Sequence, residues 1–192
     1  MLKTIALGTL LALTGTAAAE TTPSPYTGQE TRQIKSLSAK DIGDLRNGRG
    51  WGLAKAAELN GVPGPTHLLD LANEIGLDGA QVAQLHAIKL AMTAQAKPLG
   101  EKLIALEAEL DRQFAEGVIT DRSLRELLAQ IAETRSELRY THLATHFKTP
   151  PLLTAPQTAA YNRLRGYTPA VPAKAPSGTS PHNMKGGAHG GH

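Results

Sequence analysis

Two histidines lie one helical turn apart in the stretch "THLATH", His142 and His146. On a helix, an i, i+4 pair turns both imidazoles toward one point, the spacing at which two rings can share a metal ion. Three more, His182, His189 and His192, sit with Met184 in the C-terminal "HNMKGGAHGGH". Imidazoles and a thioether on a glycine-rich backbone suit weak capture of copper or nickel. The alternative for the helical pair is a couple of semi-buried polar residues, hydrogen-bonded or solvated. For the tail it is a solvated low-complexity segment. Catalytic chemistry finds no support. The chain has no Cys, no G-x-S-x-G, no phosphate loop and no HExxH, and Leu-Ala-Thr separates His142 from His146. No glutamate stands there to act as general base, so the chain does not read as an enzyme.

A ligand pair needs a rigid frame. From Val82 onward, Leu85, Lys89, Met92, Ala96, Leu99, Leu103, Leu106 and Leu110 follow at alternating spacings of three and four, a heptad seam. Pro98 lies inside it and is expected to kink the helix without ending the pattern. "EGVITDRS" supplies a stop at Gly117 and a capping Thr120 or Asp121. A second seam then runs through Leu124, Leu127 or Leu128, Ile131, Arg135, Leu138, His142 and Thr145. Two long helices joined by so short a loop must run antiparallel. His142 then faces roughly residue 95 and His146 roughly residue 91. His142 falls at the centre of the second seam and His146 on its edge, and Met92 is the soft side chain close to both. Met92, His142 and His146 are therefore the candidate site for Cu, Ni, Co or Zn. No carboxylate is placed beside it by spacing, although Glu74 on the preceding segment could fold in. Without a metal, Met92 is core filler.

The flanks complete an all-α reading. "MLKTIALGTLLALTGTAAAE" has one early lysine, a short apolar run and a small-residue end, which reads as a signal peptide over 1–19 cleaved near Ala19-Glu20. No Cys follows to carry a lipid anchor, so an exported, periplasmic product is expected. Residues 20–28 form a flexible leader. A short-helix region over 29–64 has Ser38 as a cap, a stop at Gly48 and a second stop at Asn60-Gly61. A helix begins at Pro65 and ends by Gly76. After "KTPP", which closes the second long helix, Thr154 caps a last helix over 155–166. Residues 168–192 are too polar to fold and form a disordered tail. Aromatics make up only 4% of the chain, and the formal net charge is +3; neither a large β-sandwich nor a nucleic-acid footprint fits. Basic residues Arg32, Lys35, Lys40, Arg46, Arg49 and Lys55 alternate with acids, as on a solvated face. Trp51 reads as a packing anchor, or else as an exposed client contact.

Two motifs add a resemblance. "LTAPQ" places Leu153, Thr154 and Gln157 in an LTxxQ pattern, and "LDGAQ" places Leu77, Asp78 and Gln81 in the same pattern with Asp for Thr. Each starts a predicted helix with a capping residue answered three positions later by Gln. With the signal peptide and the helical hairpin, the stretch 65–167 resembles the Spy/CpxP family of periplasmic stress proteins, which includes metal-responsive ZraP-like and CnrX-like members. The resemblance implies a four-helix cradle, a homodimer, and ATP-independent binding of unfolded or stressed periplasmic proteins, with the motifs serving structure. A role as heavy-metal sensor or metal-binding resistance protein, or as partner of a membrane sensor or efflux system, is the alternative it carries.

Overall fold

A computed structural model describes residues 22–167. The signal-peptide expectation and the tail residues His182, Met184, His189 and His192 lie outside the described residues. Within them the chain is helical and has no β-strand: α1 (Ala39–Arg46), α2 (Lys55–Glu58), α3 (Pro65–Asp70), α4 (Gly79–Ala115), α5 (Asp121–Lys148), a 3-10 turn (Pro150–Leu152) and α6 (Ala155–Leu164). None of these helices is long and apolar enough to cross a membrane.

The frame is the antiparallel hairpin of α4 and α5, as the heptad spacing predicts. Its turn follows from local chemistry. Gly117 takes the left-handed conformation (φ 66°) that closes α4. Thr120 then caps α5 by accepting from the Ser123 amide at 3.1 Å. Leu85, Met92, Ala96 and Leu103 of the first seam are buried, as are Leu127, Ile131, Leu138 and His142 of the second. Arg135 is the correction. Its side chain is 49% exposed, and Thr134 takes the buried place, its hydroxyl donating to the Gln130 carbonyl at 2.7 Å. Burying a guanidinium costs desolvation, whereas threonine can satisfy its hydroxyl on the preceding turn. Arg135 instead lies over the Trp51 ring, 4.9 Å from its centroid, and 3.8 Å from Glu107. α4 continues unbroken through Pro98. Pro98 and Ala94 are both exposed, so water can take the carbonyl that the missing N–H leaves free.

Residues 29–64 are part of the same body. Ile34, Leu37, Ile42 and Leu45 share one core with Ala96, Leu103, Ile104, Ile131 and Leu138. α1 lies so close to α4 that a Cβ at Gly100 would run into the Leu45 carbonyl. Only a residue without a side chain allows that approach. Trp51 packs, donating from Nε1 to Asp41 Oδ1 at 2.8 Å. Of the basic residues before the hairpin, Lys35, Lys40, Arg46 and Arg49 pair with Asp111, Asp44, Glu101 and Asp44. A second core gathers Leu68, Ile75, Leu85 and Tyr161 at the open end of the hairpin, flanked by Leu77 and Leu153.

The two motifs meet at that end. Asp78 and Thr154 each accept from the amide of the glutamine three residues on, at 2.8 and 3.3 Å. In return Gln81 Oε1 and Gln157 Oε1 accept from the Asp78 and Thr154 amides, both at 2.9 Å. The two glutamine side chains also bond each other. Gln81 Nε2 donates to Gln157 Oε1 at 2.9 Å, and Gln157 Nε2 to Gln81 Oε1 at 3.0 Å. Each Nε2 reaches further, to the carbonyl just before the opposing motif: Gln81 to Leu152 at 2.6 Å and Gln157 to Gly76 at 2.9 Å. The pattern is the same read from either motif, a local two-fold made from two distant stretches of chain. Each oxygen and each NH2 is fully used. Replacing either glutamine by alanine should cost about 1–3 kcal/mol, because the other amide then loses a part-buried partner. The double variant should cost clearly less than the sum of the singles in urea unfolding; strict additivity would show that the pair does not act as a unit.

Candidate functional site

Between the two cores lies a cavity of about 390 Å³, walled by α4, α5, the start of α3 and the loop after α1. Met92, His142 and His146 all line it, so the hairpin register does bring the three candidate ligands to one place. Met92 is 9% exposed, His142 2% and His146 4%. Glu74, the carboxylate that could have folded in, is exposed and is not part of the wall. Glu58 and His67 stand there instead. Sequence reasoning missed both because they belong to short elements whose position depends on the backbone strap between them.

That strap, Val62-Pro63-Gly64, also explains why His146 is buried although helical geometry puts it at the edge of the seam. His146 Nδ1 donates to the Val62 carbonyl at 2.8 Å, and the Thr149 hydroxyl donates to the Pro63 carbonyl at 2.5 Å. Gly64 lies against the ring itself, where a Cβ would stand 2.8 Å from Nε2. The bond at Nδ1 selects the tautomer in which Nε2 carries the free lone pair. His142 is different. Its Nε2 is buried and has no hydrogen-bond partner. A buried imidazole nitrogen left unpaired is costly, on the order of 1–3 kcal/mol, which marks the position as one where packing alone does not explain the residue.

Other wall groups carry charge. Lys89 and Arg49 line the cavity together with Glu58. Glu58 has close partners, with His67 Nε2 at 3.6 Å, Arg165 at 3.7 Å and the Tyr167 hydroxyl at 3.4 Å. Tyr161, buried nearby in the second core, is pushed up to about 12, by burial first and then by the Glu58 charge. Among the described residues no three His, Asp or Glu converge as a metal-ligand set. Any site here depends on the thioether of Met92.

The hairpin has a second notable surface. α1 and the loop after it cover the side of α4 that carries Thr93, Ala96 and Gly100. Pro98 and Leu99 lie on the other side, where a groove between α4 and α5 is lined by Gln95, Pro98, Leu99 and Tyr140. Tyr140 and Phe147 project from α5 two turns apart, 71% and 79% exposed, with the half-buried Leu143 between them. No element of the described chain covers that stripe.

No family model, no curated protein and no solved structure matches the chain.

Burial, and next the charge of His146, hold the His142 imidazole below the ordinary histidine value of 6.5. The unfolded chain therefore takes up a proton near pH 6.5 that the folded chain refuses, so stability falls as pH drops through that value. Asp41 adds a later step. The Ser38 hydroxyl first, and then the Trp51 indole, hold its carboxyl below the usual 3.8, so its contribution is present above that pH and is lost as pH falls further. Denaturant midpoints measured from pH 8 to 3 should decline in two stages, and His142→Leu should flatten the one between pH 7 and 5. An unchanged slope in that variant would show that His142 is not held neutral.

Proposed function

We propose that the protein is an exported holdase of the Spy/CpxP type, one that binds apolar segments of unfolded proteins without nucleotide. The observation behind this reading is the bare face of the hairpin. Large apolar side chains on a continuous helical surface, next to a groove and uncovered by the rest of the chain, suit reversible burial of client segments. The paired LDxxQ and LTxxQ motifs support the family comparison through what they do here, which is to hold two helix starts together and leave the long helices free to present a surface. A homodimer would double that surface.

The test is suppression of aggregation of a chemically denatured client by the full chain at equimolar ratio. Tyr140→Ser with Phe147→Ser should remove most of the suppression. The double variant should unfold at nearly the wild-type denaturant concentration, since exposed positions rarely change stability by more than about 0.5 kcal/mol each. Failure of the wild-type chain to suppress aggregation overturns the reading.

A second reading, a metal-responsive module, is favoured by a separate observation: Met92, His142 and His146 line one cavity. Calorimetric titration of metal into the full chain with the tail residues His182, Met184, His189 and His192 substituted should still detect one bound ion. Heat that disappears with the tail substitutions would assign metal capture to the tail alone.

A further inference from the structure

We propose that the cavity selects a soft univalent ion, Cu(I) or Ag(I), held by the Met92 thioether and the His142 and His146 imidazoles, over Zn(II), Ni(II) or Co(II). This inference rests on the metal reading above and names the ion class for that site.

Donor type is the first argument. The chain has no Cys, and the carboxylate and third imidazole of the wall, Glu58 and His67, lie against each other and against Arg165 and Asp70, which leaves two imidazoles and one thioether as ligands. Thioether sulfur prefers soft, electron-rich ions, whereas zinc, nickel and cobalt sites draw on thiolates, carboxylates or a larger number of imidazoles. Charge is the second. With neutral ligands only, a bound ion keeps its full charge inside a wall whose charged side chains, Lys89, Arg49 and Glu58, leave no net negative charge to offset it. Desolvation cost rises with the square of the charge, so a divalent ion carries about four times the penalty of a univalent one. Repulsion by Lys89 rises in proportion to the charge as well, Arg49 being paired with Asp44. Both effects act in the same direction.

The ligands are also oriented. The Val62 carbonyl fixes His146 with its Nε2 lone pair free, the arrangement that outer hydrogen bonds impose on metal-bound histidines. Gly64 has no side chain to collide with that nitrogen, where a Cβ would stand 2.8 Å away. His142 Nε2 is buried without a partner, and a metal would satisfy it. Three donors suffice for an ion of this class, which accepts low coordination numbers, and Met92, His142 and His146 supply three.

The test uses the full chain carrying His182→Ala, Met184→Leu, His189→Ala and His192→Ala, so that tail binding does not obscure the site. Cu(I) competition against a chromophoric chelator, with Ag(I) as the redox-inert probe, should show one ion per chain. Met92→Leu keeps the volume of the side chain and should weaken that binding by about 10–100-fold while circular dichroism stays unchanged. X-ray absorption at the copper edge should show a sulfur neighbour in the tail-substituted chain that is missing in the Met92→Leu variant. Equal affinity with and without Met92, or no sulfur neighbour, overturns the ligand set. Tighter binding of Zn(II), Ni(II) or Co(II) than of Cu(I) overturns the ion preference and leaves the metal reading standing. Binding of none of these ions by the tail-substituted chain removes both.

Discussion

Two glutamine side chains, Gln81 and Gln157, face each other with their amides paired, and the open end of the hairpin depends on that contact. Each amide closes the cap of its own helix and reaches the backbone just ahead of the other motif. The ends of α4 and α6 are thereby fixed although they are far apart in sequence. Leu77 and Leu153, one residue before the two caps, are carried into the second core by the same geometry. Without a fixed end, Leu68, Leu85 and Tyr161 would lack a stable lid, and the wall of the cavity formed by α3 would lose its support.

The histidine cavity lies where two cores, one around Leu45 and Leu103 and one around Leu68 and Leu85, follow one another along α4 without merging. Polar residues collect at the boundary: His142, Thr145 and His146 of α5 and Thr149 at its C-cap are all buried there. Threonine hydroxyls bond to backbone carbonyls, as Thr145 does to His142 and Thr149 to Pro63. His146 is tied to the strap through Nδ1, whereas His142 keeps a buried nitrogen without a partner. A polar boundary of this kind holds the strap in one place, since a slide of one residue would leave several buried groups without partners.

Much of this was legible in the residues. The hairpin followed from heptad spacing and from the Gly117 and Thr120 signals, because strong periodicity is a local property that tertiary contacts only confirm. Convergence of Met92 with His142 and His146 followed from register alone. The helix beginning at Pro65 is shorter than the sequence suggests, ending at Asp70 before a run of turns to Gly76. Proline and glycine mark its limits well but say nothing of where turns replace helix between them. The mutual bonding of the two glutamines could not be read from either motif, because each capping box is complete within itself. Glu58 and His67 escaped notice for a related reason: nothing in "KAAE" or "PTHLLD" tells which wall they join. Arg135 fell on the seam by period and left it because burying a guanidinium costs more than the period can enforce.

The seat of α1 on Gly100 bears on how such a chain can be recombined. The segment before residue 65 supplies four apolar residues to the larger core and touches α4 at its middle, so it is a half of the bundle and no detachable appendage. A graft of the hairpin into another protein would have to bring residues 34–48 along, or refill that flank with new side chains. The loop at Glu116–Thr120, exposed and remote from both cores, is by contrast a place where foreign sequence could be spliced in with little disturbance.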